Sequence, residues 1–95
     1  MIECYILMHA HSSNGEIVFL DFPSGIIPSL GMQLRRKEDG GIWQIVGMGL
    51  PIIIDMAKEK IESPYNSSRV WDCLLNAIGH ESSLKIHDVL EVVVK

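Results

Sequence analysis

His9 and His11 are two residues apart, and along an extended strand residues at that spacing project from one face. Two imidazoles on one face can converge on a metal ion, with a third ligand drawn from His80, His87, Asp21 or Asp88. The plainer reading is two ordinary histidines where a strand meets a turn. No spacing in the chain matches a recognised zinc signature. We therefore assign neither metal nor cofactor from sequence.

Asp21 lies between Leu20 and Phe22, so alternation sends it either to the face of Phe19 or to solvent. Solvent is the expectation, because a carboxylate is seldom fully buried without a partner. Trp43 and Trp71, with Tyr65, are large enough to line a pocket, and Met32, Met48 and Met56 would make it adaptable. The candidate ligand-binding set is His9, His11, Asp21, Trp43 and Trp71, with no catalytic residue assigned. Cys4 and Cys73 sit among apolar neighbours and read as small buried hydrophobes, not nucleophiles. Gly40-Gly41 and Gly47-Met48-Gly49 lack the Lys-Ser/Thr of a phosphate loop, so they read as turn and bulge glycines.

The whole-chain totals narrow the function classes. Ninety-five residues suit one domain, 1–95, near the lower end of what buries a core unaided. Hydrophobic residues make up 47%, more than so small a domain hides, and the surplus should surface as an interface patch. Twelve acidic against eight basic residues leave a net charge of −4, which argues against a phosphate-backbone binder. The basic run Arg35-Arg36-Lys37 is followed at once by Glu38-Asp39 and reads as a solvated turn. Two cysteines are too few for a disulfide framework, no signal-peptide pattern appears, and no run reaches the ~20 apolar residues of a membrane helix. The expected location is cytoplasmic.

The elements that must position these residues follow from periodicity. Ile2 to His9 reads as a strand, with Ile2, Cys4, Ile6 and Met8 on one side and Glu3, Tyr5, Leu7 and His9 on the other. Glu16 to Phe22 reads as its hairpin partner across the Asn14-Gly15 step. A second hairpin joins strands of about 32–36 and 42–48 through the Gly40-Gly41 turn. Pro28-x-x-Gly31-x-x-Leu34 followed by Trp43-x-Ile45-Val46 resembles the hairpins of small SH3-like barrels, which implies a sheet curling into a partly open barrel and no particular activity.

Two segments read as helical. Val70, Trp71, Leu74, Leu75 and Ile78 form an apolar stripe between a capping Ser68 and a terminating Gly79, which predicts a helix over about 68–79. Ile54, Ala57 and Ile61 tip the segment of about 52–61 towards a short second helix, although Ile52-Ile53-Ile54 favours a strand. Leu84 to Val94 reads as a closing strand. The expected class is α+β, a curved antiparallel sheet of about five strands with helices packed on it.

The function expected first is non-catalytic association, as a homodimer or adaptor, through an apolar sheet face. The alternative is a small-ligand-binding protein or small enzyme with a cleft near His9, His11, Asp21 and Trp43. The least favoured is nucleic-acid binding through Arg35, Arg36 and Lys37.

Overall fold

A computed structural model describes residues 2–53, 55, 58–60, 63–65, 69–81 and 83–93. Its strands are β1 (Glu3–Ser12), β2 (Gly15–Asp21), β3 (Gln33–Arg36), β4 (Ile42–Met48), β5 (Ile52–Ile53), β6 (Arg69–Ile78) and β7 (Val89–Val92). Every pairing is antiparallel, and the order β1-β2-β6-β4-β3-β7 returns to β1, closing a six-stranded barrel. The short β5 adds to β6 beyond the end of β4, where Ile52 pairs with Val70.

Among the described residues there is no helix, so the α+β expectation is wrong and the protein is all-β. The physical reason is clearest in β6. Trp71, Cys73, Leu75 and Ala77 alternate into the core, while Val70 and Leu74 lie on the other face. With apolar residues on both faces, a 3.6-residue stripe and a two-residue alternation fit the same letters. Pairing with β2 on one side and β4 on the other decides between them. The supposed cap, Ser68, lies outside the described residues.

The second predicted helix also fails. Ile52–Ile53 is strand β5, and among the described residues of this segment one backbone bond has helical spacing, from Glu59 N to Asp55 O at 3.0 Å. Ile54, Met56, Ala57 and Ile61 lie outside the described residues. The closing strand is shorter than expected, because Leu84 to Asp88 forms a loop folded over one end of the barrel.

The barrel interior is filled by side chains, as a small barrel requires. Cys4, Ile6, Val18, Leu20, Phe22, Leu34, Trp43, Ile45, Trp71, Cys73, Leu75, Leu84 and Leu90 form one core. Burying their apolar area, at roughly 25 cal/mol per Å², is the main favourable term holding the barrel shut. Burial also holds the thiols protonated, pushing Cys73 up to about 12 and Cys4 well above its ordinary value.

Two bulges break the alternation. In β1, Ile6 pairs with Leu20 and Met8 with Phe19, so Leu7 is an extra residue without a partner on β2. Leu7 and Met8 both stay outside, Leu7 packing with Val70, Tyr5 and Phe19. The phase then flips: Ile6 points inward, and so do His9 opposite Val18 and His11 opposite Glu16. The simple alternation that placed His9 with Tyr5 and Leu7 is corrected by this one residue. Val46 is the corresponding extra residue in β4.

Candidate functional site at the barrel mouth

One end of the barrel gathers the β1–β2 turn, the β3–β4 turn and the loop residues 79–81 and 83–88. The β1–β2 turn is Ser13-Asn14, since Ser12 pairs with Gly15. Gly15 adopts φ +140°, and an added Cβ would lie 2.7 Å from Leu75 O, so the close approach of β2 to β6 needs glycine there. This turn sets Glu16 directly across from His11.

Glu16 points inward between β1 and β6 and is buried, with 5% of its surface exposed. Its Oε2 lies 3.2 Å from His9 Nε2 and 2.5 Å from His11 Nδ1. These are ion-pair distances without hydrogen-bond geometry, for Glu16 Oε2 and His9 Nε2 are both buried and have no hydrogen-bond partner. Glu16 Oε1 accepts a 3.4 Å bond from Leu84 N, which fixes the turn of the carboxylate. The imidazoles stand edge to face, with ring centres 5.6 Å apart. His9 is mostly covered, whereas the His11 side chain is 71% exposed, so the cluster reaches from core to surface.

Beside it lies an open groove of about 440 Å³, lined by His11, Asn14, Glu16, Trp43, Asn76 and Ser83 among others. Trp43 is almost wholly buried, and its indole Nε1 also has no hydrogen-bond partner. The His80 ring packs edge-on to Trp43 at 4.9 Å, with His80 Nε2 2.9 Å from Ile42 O.

A second set of bonds fixes the loop over this end. Arg36 faces the core side of β3 and is buried, contrary to its reading as part of a solvated tip. It donates from Nε and Nη2 to the Asp39 carboxylate at 3.1 and 2.7 Å, and from Nη1 to Ser83 O at 2.5 Å and Asp88 Oδ2 at 3.3 Å. The forked pair with Arg36, helped by Gly41 N, lowers Asp39 to about 2. Lys37 donates to Glu3 Oε2 at 2.9 Å. Two of the three cations of the Arg35-Arg36-Lys37 run are thus engaged with carboxylates.

The candidate residues from sequence divide clearly. His9, His11 and Trp43 come to this end of the barrel. Asp21 does not: it lies five residues along β2 from Glu16, about 16 Å at the usual strand rise. It is fully buried on the outer face, not in solvent, and Ser63 Oγ donates to its carboxylate. Trp71 lines a separate groove of about 300 Å³ with Phe22, Ile26 and Arg69. None of the four third ligands considered joins the histidines. His80 turns to Ile42, His87 lies against the Tyr5 hydroxyl, Asp21 is with Ser63 and Asp88 is with Arg36.

The residue that sequence reasoning missed is Glu16. Its signal was the turn: taken across Ser13-Asn14 in place of Asn14-Gly15, it puts position 16 opposite His11. Among the described residues, His9, His11 and Glu16 are the one group of three such side chains whose ligand atoms all lie within 4.8 Å of one another.

Comparison with known proteins adds no identity. No protein-family model, curated protein or solved structure gives a significant match to the chain. Among the described residues no helix is long and apolar enough to cross a membrane.

Proposed function

We propose that this protein is a small-ligand-binding barrel whose site is the groove at the β1–β2 end. One observation carries the reading. Three buried polar atoms at that end, His9 Nε2, Glu16 Oε2 and Trp43 Nε1, have no hydrogen-bond partner. Buried polar groups are nearly always satisfied, so several orphans at one groove mark where a ligand completes the bonding. Nuclear magnetic resonance tests this. In a screen of small carboxylates, amides and imidazoles, ligands should shift the Trp43 indole N–H and the Asn76 side-chain amide. Ligands that move only Trp71 and its neighbours would place the site in the other groove and end this reading.

A second reading, association with another copy of the chain, has its own support. Ala10, Ile17, Leu74 and Gly47 form one register row across the outside of β1, β2, β6 and β4. Met8 and Val46 on the same exterior are 51% and 42% exposed. An exposed apolar row of this kind suits a two-fold contact, in which each copy presents the same surface. Light scattering on a sizing column should report a dimer, and Ile17→Lys should return it to monomer. A monomer at high concentration would end this reading. Cytoplasmic location belongs to the same proposal, supported by Cys4 and Cys73 being free.

A further inference from the structure

The geometry points to a divalent transition-metal ion of the zinc class as a ligand of this end of the barrel, held by His9 Nε2, His11 Nδ1 and Glu16 Oε2. The inference rests on the groove reading and names the ligand chemistry at its inner wall.

Donor spacing supports it first. A four-coordinate zinc ion with bonds of about 2.0–2.2 Å sets its nitrogen and oxygen donors roughly 3.3–3.5 Å apart. His9 Nε2 and Glu16 Oε2 are 3.2 Å apart, close to that spacing, whereas His11 Nδ1 is 2.5 Å from Glu16 Oε2 and has to draw back by about 1 Å to share the ion. The three atoms need only small side-chain adjustments, mostly of the exposed His11, to surround one ion.

Charge supports it next. Glu16 is buried, and an ionised carboxylate in that setting needs a compensating charge. The bond from Leu84 N, at 3.4 Å, is long and neutral. A divalent ion held here would neutralise the buried carboxylate and use the imidazole lone pairs.

The surroundings complete the case. Leu84 N holds Oε1, as bonds behind a metal ligand characteristically do, leaving Oε2 towards the imidazoles. The Leu7 bulge is what turns His9 and His11 to the inner face. Three protein ligands beside an open groove leave at least one position for water or a ligand in the groove. Borderline nitrogen and oxygen donors favour zinc, cobalt, nickel or copper over calcium or magnesium, which take all-oxygen sites.

The test is calorimetric titration of the chelator-treated full chain with zinc chloride. One ion per chain is expected, with Glu16→Gln and the double variant His9→Gln/His11→Gln each weakening binding by about 100-fold or more. Cobalt(II) should give the visible absorption of a low-coordinate nitrogen and oxygen site. Nitrogen resonances should report coordination through Nε2 of His9 and Nδ1 of His11, a pairing that adventitious binding would not reproduce. Thermal unfolding of each variant verifies folding, and the exposed His11→Gln alone serves if Glu16→Gln does not fold. Absence of zinc and cobalt binding, or affinity unchanged in the folded variants, overturns the proposal. The groove is read separately, through the Trp43 indole N–H in chelator-treated protein. Organic ligands without zinc would overturn the metal and leave the groove reading; zinc without organic ligands would support the metal alone.

Discussion

His11 and Glu16 face each other across the β1–β2 hairpin, with His11 Nδ1 2.5 Å from Glu16 Oε2. The contact joins an exposed imidazole to a buried carboxylate, and His9 adds a second imidazole from the same face. Such an arrangement is costly for a fold that could have placed an apolar side chain at position 16.

That cost is measurable. Replacing both members of a buried charged pair by apolar residues of similar volume is often neutral or stabilising, by about 1–4 kcal/mol, whereas removing one member alone is destabilising. The double variant His9→Leu/Glu16→Met should therefore stabilise chelator-treated protein by about 1 kcal/mol while abolishing zinc binding. Denaturant unfolding of both proteins measures it. A loss of more than about 2 kcal/mol would mean that the His9–Glu16 pair serves the fold.

Gly15→Ala should be among the most damaging single-methyl additions. Its Cβ would meet Leu75 O at 2.7 Å and crowd Asn76 Oδ1, at a backbone angle that L residues rarely adopt. The carbonyl belongs to β6 and cannot swing aside, so a loss of about 2 kcal/mol or more is expected. Gly47→Ala, with ordinary φ and its nearest contact Leu74 Cβ at 3.2 Å, should cost distinctly less by the same unfolding measurement.

Arg36 and Asp88 form a pair whose side chains are 5% and 4% exposed. Removing either partner leaves a buried charge, with an expected cost of about 3–5 kcal/mol for Arg36→Met. The double variant Arg36→Met/Asp88→Leu should recover part of that loss. Chemical denaturation of the two single variants and the double variant gives the coupling directly, and simple additivity would show that the pair does not act as a unit.

Asp39 titrates near 2, below its usual 3.8, because Arg36 and Gly41 N bind its charged form. A lowered folded pKa adds stability above the unfolded value and loses it as pH falls towards the folded one. Asp39→Asn should accordingly lower the melting temperature at pH 6. The gap between it and the parent should narrow from about pH 4 to pH 2. A gap independent of pH would assign the effect to packing.

The sequence made the local elements legible and the long-range ones much less so. The β3–β4 hairpin reads directly, because Gly40 at φ +77° and the Asp39-Gly41 contact are turn chemistry carried by neighbouring residues. β6 reads as a helix, because its strand identity comes from β2 and β4, which lie far away in the chain. His9 and His11 were recognised as one-faced, yet which face depends on a bulge at Leu7 that no local letter announces. Glu16 was overlooked through a turn placed one residue late, and in a strand one residue is the difference between inside and outside.

Ring order and chain order differ in this barrel, and the difference bears on how it folds. β7 follows the other described strands in the chain, yet it is the stave joining β1 to β3, through Tyr5 with Val89 and Leu34 with Val92. Both hairpins can form while the chain is still short, but neither can close a ring. Such distant pairing raises contact order, so folding should fall in the millisecond-to-second range typical of all-β domains. Leu84, whose N–H backs Glu16 Oε1, belongs to the loop that leads into β7, so the wall behind the His9–His11–Glu16 hairpin comes from a segment distant in the chain. Closing the ring and finishing that wall are therefore one event, and a change that opens the β7 seam should loosen the histidine end as well.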